Sequence, residues 1–414
     1  MQTFTPIEYL KIDIASNFGL DKETWAERLN WVDTREGFLE TLVEEAENPA
    51  LFYAGLKAYR DAQAGKDIKY VVSLDATASG AQILAALINC PKSASMCNLI
   101  DTGKREDLYT NVFQHMLLRA DIDHNFERAS VKQAVMTALY GSTAEPKKAF
   151  GEGKTLLAFY DVMETEATGI WSLNHAMLNF WNPNKLSHDW ILPDGFEVKI
   201  KVMVEDVYSP TFIDEPQIIV KEVNSTSEFK PELGANITHS IDGMVVRELV
   251  ARCHYSPTHI RKVKSLVHSL LQGHSVALFS PDTEERRKAT LKSVERVRKF
   301  QKRYEQTKFI SSRMIQHLNE YSLMELSEDT LWAVWEYLES LPKKPFKVLS
   351  VHDCFRVHPN YGNDLRRQYN EVLATIADST ILDDLASQLM NDSVTVTKHG
   401  ALKSDIQNAD YALS

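Results

Sequence analysis

The sequence predicts a mixed α+β fold in which helices dominate and a few short strands meet in a small sheet. Three observations carry that expectation. Two brief apolar, β-branched runs, Val71-Val72-Ser73-Leu74 and Val348-Leu349-Ser350-Val351, are too short for helices, and each ends on a turn-forming pair or acid, Asp75 and His352-Asp353. A further run, Cys354 to His358, follows His352-Asp353 closely enough to return as a hairpin. Most of the remaining chain repeats its apolar residues with helical period. Each run closing on an aspartate is expected at the end of a buried strand.

Residues 1 to about 70 read as helices, with apolar stripes at Trp25, Leu29 and Val32, then Phe38, Leu42 and Val43. Residues 71–120 read as strand, a turn of small residues (Ala76-Thr77-Ala78-Ser79-Gly80), then helix from Ala81. Next, Arg128, Lys132, Met136 and Tyr140 recur every fourth residue, drifting only about 40° per step around a helix. Helices rich in Trp and Phe follow, and a β-rich segment begins after Pro193-Asp194-Gly195. Residues 236–345 are mainly helical. From Phe346 the hairpin is followed by further helices and a short tail. No internal repeat or low-complexity run interrupts the chain.

At 414 residues the chain is long enough for more than one lobe. No apolar run approaches the roughly 20 residues of a membrane span, and the first residues lack a signal peptide's apolar stretch. Cys90, Cys97, Cys253 and Cys354 form neither a metal-finger spacing nor a disulfide framework, which fits a reducing compartment. Cys253 and His254, with His259, His268 and His274, match no zinc pattern. A net charge of −11 argues against nucleic acid until its distribution is considered: Arg261–Lys308 alone carries +8, leaving −19 elsewhere. That stretch predicts two helices. One has Ile260, Val263, Leu266, Val267 and Leu270 on a single face; the other runs from Arg286 to Arg303. A solvated charged face and a phosphate-tracking surface explain it equally well.

Singly, these features are cheap. Strand-end aspartates are usually turn residues. The chain has a second His-Asp pair, His188-Asp189, that follows no apolar strand. Together they have a chemistry: two strand-end carboxylates can share divalent cations, and a cationic helix beside them can hold a triphosphate. In order and wording, Asp75-x-Thr77-x-Ser79-Gly80-x-Gln82, Arg128-x3-Lys132-x3-Met136-x3-Tyr140-Gly141-Ser142 and His352-Asp353-x-Phe355 resemble motifs A, B and C of the single-subunit bacteriophage and mitochondrial RNA polymerases. Leu10–Arg28 resembles the segment before motif A, and Asn98–Tyr109 the helix after it. Pro193-Asp194-Gly195-Phe196 is similar to the lead-in to the specificity hairpin, Ala235–Gly243 to the family's histidine motif, and Asp405–Ser414 to its C-terminal foot.

The resemblance implies a right-hand polymerase: an antiparallel palm sheet with helical fingers, thumb and N-terminal domain absent. Residues 1–124 would hold the palm entry helices and motif A, and 125–235 the fingers with motif B and the specificity-hairpin region. Residues 236–258 would carry the palm histidine motif, 259–345 a basic helical insertion, and 346–414 motif C and the foot. It implies DNA-directed RNA synthesis with two Mg²⁺ ions held by Asp75, the Ala76 carbonyl and Asp353. Arg128, Lys132 and Lys22 would contact the incoming triphosphate, with Lys132 also able to protonate the leaving pyrophosphate. Tyr140, aided by His239, would sense the ribose 2′-hydroxyl, and Tyr109 would lie near that pocket. His352 and Phe355 would shape the turn. Family A DNA polymerases share the two aspartates and the Arg-x3-Lys helix. They usually carry an aromatic residue at the position of Met136, a glutamate at that of Cys354, and a glutamate in motif A, so these features favour ribonucleotides. A non-catalytic palm scaffold would not need Asp75, Lys132, Tyr140 and Asp353 intact.

Two departures refine the expectation. The resemblance begins within the first dozen residues, without the thumb and the Asp-x-x-Gly-Arg element. The chain is therefore expected to be the larger, catalytic subunit of a split enzyme like those of some podophages, working in the cytoplasm of an infected bacterium with a second subunit, DNA template, nascent RNA and NTPs. Between Val202 and Leu233, where the specificity hairpin should lie, seven acids face two lysines, which suits a phosphate-lined groove poorly. Weak recognition of duplex promoters follows, with start sites chosen by accessory promoter-loading or single-strand DNA-binding proteins.

Overall fold

The computed structural model describes residues 1–213, 215–228, 232–275 and 283–414. Two helices, α1 (Pro6–Ala15) and α2 (Trp25–Asp33), each start at a threonine whose hydroxyl accepts from the backbone three residues on, while a glutamate there bonds back: Thr5 with Glu8 and Thr24 with Glu27. Helix α3 (Pro49–Gln63) leads to strand β1 (Val72–Asp75), and α4 (Ser79–Ile88) follows after the small-residue turn. Helices α5 (Pro91–Met96), α6 (Leu108–Leu117), α7 (Arg128–Ala138), α8 (Ala144–Phe150), α9 (Lys154–Glu166) and α10 (Thr168–Leu178) come next.

The β-rich segment holds hairpin β2 (Ser187–Ile191) with β3 (Glu197–Lys201), then the longer hairpin β4 (Met203–Tyr208) with β7 (Ile219–Asn224). Two-residue strands β5 (Thr211–Phe212) and β6 (Glu215–Pro216) pair beyond its end. Helix α11 (Glu232–Cys253) returns to the core. Helices α12 (Pro257–Leu271), α13 (Glu284–Thr307), α14 (Ser312–Ile315) and α15 (Glu328–Ser340) follow. Strands β8 (Leu349–Val351) and β9 (Cys354–Val357), then helices α16 (Gly362–Asp378), α17 (Ile381–Met390) and α18 (Lys403–Gln407), complete the chain. Every pairing is antiparallel, and the central sheet runs β1-β9-β8. The fold is α+β and mostly helical.

Two hydrophobic clusters hold it. The larger surrounds α4, whose residues Gly80–Ile88 are all buried, between α10, α11 and α16. The smaller is built by α12–α15 around Val263, Val267, Val297, Tyr304 and Tyr337. Its α12 contribution is the stripe read from the sequence, with Ile260, Leu266 and Leu270 flanking Val263 and Val267. Burying such side chains contributes about 1.5–3 kcal/mol each.

Two expectations are corrected. Leu39–Glu45 forms a 3₁₀ helix, so the stripe through Phe38, Leu42 and Val43 is displaced: Leu39 turns inward and Phe38 is 48% exposed. At three residues per turn, an α-period stripe no longer faces one way. The run before Asp353 is also not a buried strand. It forms the sheet's edge, with Leu349 56% and Val351 54% exposed, because nothing among the described residues packs on its outer side. Among the described residues no helix is long and apolar enough to cross a membrane.

Candidate active site

The backbone of β1 is hydrogen-bonded along both edges, which fixes where Asp75 emerges. On one edge the sheet register sets Asp75 directly opposite Cys354, and Ala76 N–H donates to the Asp353 carbonyl at 3.1 Å. On the other edge Ser73 N–H donates to the buried Asp13 carboxylate at 2.8 Å. Further along it, Asp75 N–H and Thr77 N–H donate to the carbonyls of Ser414 (3.1 Å) and Ala412 (3.3 Å), and Ser414 N–H donates back to the Asp75 carbonyl at 2.9 Å. Residues 412–414 thereby extend the sheet beside β1. Leaving such groups unpaired would be costly, so each bond restrains the strand end.

Asp353 lies in the two-residue turn between β8 and β9, with His352 left-handed at φ 55°. The two carboxylates, remote in sequence, thus occupy neighbouring positions at one end of the sheet. The Cys354 thiol hydrogen-bonds to Asp75; burial first and that carboxylate next push its pKa up to about 12.

Beside Asp353 opens a cleft of about 240 Å³ walled by Ala76, Gly80, Tyr109, Lys132, Met136 and Tyr140. Arg128, Lys132 and Met136 share a face of α7, as their spacing predicts. The helix ends at Ala138, however, and Tyr140 stands in the turn beyond, which Gly141 closes at φ 87°. Arg128 donates Nε to Thr110 Oγ1 at 2.7 Å and forms an ion pair with Asp107. Asp107 also caps α6, accepting from Tyr109 N–H (2.9 Å) and Thr110 N–H (3.0 Å). Burial opposes its ionisation, yet these bonds and Arg128 hold its pKa below the usual carboxylate value.

Lys132 Nζ stands 5.5 Å from the Tyr109 ring centroid. Burial, and then Tyr140, Asp107 and Asp353 around it, raise Tyr109 to about 12. Tyr140 packs edge-on against His239 from α11, centroids 5.1 Å apart, and is raised by burial and by Asp242 and Asp353. A Cβ on Gly80 would fall 2.2 Å from Tyr140 Oη, so this position admits only glycine without moving the ring. Lys22 is further out, 57% exposed, with Asp21 at 3.8 Å as its ion-pair partner. Its loop is held by the fully buried Arg28, which donates to the carbonyls of Asp21 and Glu23 and to Ser16 Oγ.

Sequence reasoning gave no role to Asp107, Asp242 or Gly80. Asp107 carried a legible signal, an N-cap residue ahead of a helix. Asp242 was part of the histidine motif; burial and then Asp353 raise its pKa, opposed by His239 and His352. Gly80 stood in the motif A pattern, but the reason for it, a contact with a residue sixty positions away, was not legible there.

The donor set suits Mg²⁺: two carboxylates and the Ala76 carbonyl, which accepts no backbone hydrogen bond among the described residues. Those residues assemble no cluster of three or more acidic, His or Cys side chains. A bound cation would therefore complete its shell with water and substrate oxygens, as Mg²⁺ commonly does.

A sequence profile described as DNA-dependent RNA polymerase matches residues 4–152, the part of the chain from α1 through α8. A probable DNA-directed RNA polymerase of Neurospora crassa is 32% identical over 166 residues, covering 33% of this chain and 18% of that protein. A DNA-directed RNA polymerase of Pseudomonas phage phiKMV is 28% identical over 170 residues, covering 33% of this chain and 21% of that protein. The matched part spans about a fifth of the length of these relatives. The profile does not extend to residues 193–196, 235–243, 352–355 or 405–414, where the sequence resemblance was also read. Residues 4–152, which carry Asp75, Tyr109, Arg128, Lys132 and Tyr140, match the DNA-dependent RNA polymerase family.

Proposed function

We propose that this chain is the catalytic part of a single-subunit-type, DNA-directed RNA polymerase, adding NTPs to an RNA 3′ end and releasing pyrophosphate. The observation that supports it most is the register of β1 on β9. It sets Asp75, inside the matched segment, opposite Cys354, the neighbour in the chain of Asp353, which lies outside that segment and lines a cleft with Lys132 and Tyr140.

In this reading Asp75, the Ala76 carbonyl and Asp353 hold two Mg²⁺ ions, which would lower the pKa of the attacking 3′-hydroxyl and neutralise charge on the leaving pyrophosphate. Lys132, exposed on α7, contacts the triphosphate and can pass a proton to the leaving group. Arg128, oriented by Asp107 and Thr110, adds a charge-assisted contact, and Lys22 reaches the same phosphates from its loop. Tyr140, wedged against Gly80 and His239, meets the ribose 2′-hydroxyl; losing that contact strands a buried polar group, which is how a deoxyribonucleotide would be rejected. Tyr109 supports Lys132.

The DNA template and nascent RNA are the macromolecular ligands, and the exposed cations of α13 are the surface assigned to the template backbone. A second polypeptide would complete the active enzyme, with accessory proteins choosing start sites. Purification with natural partners, followed by template-directed incorporation of NTPs and of dNTPs, tests the reading. Wild-type protein should incorporate ribonucleotides, and Asp353→Asn should reduce the rate by several orders of magnitude. Wild-type synthesis by Asp353→Asn, or exclusive use of dNTPs, overturns it.

A further inference from the structure

Arg105 lies in the Asn98–Tyr109 stretch, where the sequence pointed to no role for it, yet it is tied to the strand that carries Asp75. It lies in the loop between α5 and α6, two residues before the Asp107 that orients Arg128. Its Nε donates to Ser414 Oγ at 3.2 Å, and Ser414 is paired through its backbone with Asp75. The guanidinium is thus tied to the outer edge of the strand that carries Asp75. The charges facing it come from several elements: Asp21 from the Lys22 loop, Asp107, Tyr411 and Asp75, with the buried Arg28 as the opposing cation.

None of these acids forms an ion pair with Arg105 among the described residues, and its two terminal nitrogens donate to none of them. Each acid has another role. Asp107 is committed to Arg128 and to the cap of α6, Asp21 pairs with Lys22, and Asp75 is the proposed metal ligand. The result is a half-buried, fork-shaped cation with open terminal donors, at the edge of the strand that carries Asp75 and within electrostatic reach of Asp107 and Asp21, the partners of Arg128 and Lys22. A guanidinium in that state matches a phosphate, which it can bind with two parallel bonds.

We infer that Arg105 is a further triphosphate-binding residue, engaging the incoming nucleotide from the edge of β1 that residues 412–414 cover. The inference rests on the polymerase reading above. The rival is a purely structural role, in which Arg105 only fastens residues 412–414 to the sheet.

Binding of a fluorescent NTP analogue, mant-GTP with Mg²⁺, to the full chain separates these, with inorganic tripolyphosphate as competitor and thermal unfolding measured alongside. Arg105→Ala should weaken both mant-GTP and tripolyphosphate roughly ten- to hundredfold, the range of a charged hydrogen-bonded contact. Arg105→Lys, which keeps the charge without the fork, should recover part of the loss. If Arg105→Ala lowers the melting temperature but leaves both affinities at wild-type values, the inference is wrong and the structural role stands. Lys132→Ala distinguishes the two levels of the argument. If it weakens binding and Arg105→Ala does not, only the Arg105 assignment falls. If the protein purified with its natural partners binds no mant-GTP, or neither variant changes its affinity, the nucleotide site itself is refuted.

Discussion

Asp13 shows how one residue can set the position of another it does not touch. Its carboxylate, 1% exposed, accepts from Ser73 N–H at 2.8 Å, Tyr70 Oη at 2.7 Å and Asn17 Nδ2 at 3.1 Å, so it holds β1 two residues before Asp75. Burial outweighs those bonds and the nearby Arg356, raising its pKa from 3.8 to about 6. The folded state therefore binds the proton more tightly than the unfolded one. The contribution to stability is fully present below pH 3.8 and is lost as pH rises through about 6. Asp13→Asn should remove this slope. In urea unfolding the wild type should lose up to roughly 3 kcal/mol relative to the variant between pH 4 and pH 7. Parallel pH profiles would show that Asp13 is not the group responsible. Nothing in the local sequence marks this aspartate, which lies in the last turn of α1 between Ile12 and Ile14; its burial depends on β1 and α3 packing over α1.

Elements carry the next constraint, in the contact between the first turn of α4 and the turn after α7. Gly80 lets Tyr140 approach to a distance that no side chain at position 80 would permit. In helical backbone Ala is favoured over Gly by about 1 kcal/mol, so Gly80→Ala should leave overall stability nearly unchanged while forcing Tyr140 aside. The expected outcome is a fall of at least about tenfold in NTP-over-dNTP preference, part of what a buried hydroxyl contact can provide. Unaltered sugar selectivity in steady-state incorporation would separate Tyr140 from the ribose. The elements themselves were largely legible: the strand ending at Asp75, the tight turn at His352-Asp353, the α7 face and the two basic-region helices all follow from short-range patterns. The edge position of β8 and the inward turn of Leu39 were not, because both depend on what packs from outside the segment.

Across the whole molecule, charge is divided between an acidic body and the cationic helix α13, and the fold sorts those cations into two groups. Arg303 is 13% exposed, paired with Asp384 at 2.7 Å and donating to the Ile191 carbonyl, so it fastens α13 to α17 and β2. Arg298 is engaged by Glu325 at 2.9 Å. Lys288, Lys292, Arg296, Lys299 and Lys302 are exposed; Lys288 pairs with Glu284, Lys299 with Glu295 and Arg296 with His317, all surface contacts of small energy. Replacing these five by glutamine should leave the fold intact. If α13 follows the template backbone, the slope of log affinity against log salt should shrink by up to about 0.9 per contact removed. An unchanged slope would free α13 for a protein partner instead.

By itself the sequence determined the mixed α+β class, the residue types able to bind phosphate and divalent metal, and the local frames that present them. Caps, turns and periodicity act over a few residues, so they can be read from a few residues. Only the tertiary structure decided that the segments carrying Asp75 and Asp353 come together at one end of the sheet, that Gly80 admits Tyr140, and that Arg105 is tied to the edge of β1. It also decided which cations of α13 are already committed. Those are relations between segments far apart in the chain, fixed by backbone hydrogen bonds and packing that no local pattern encodes.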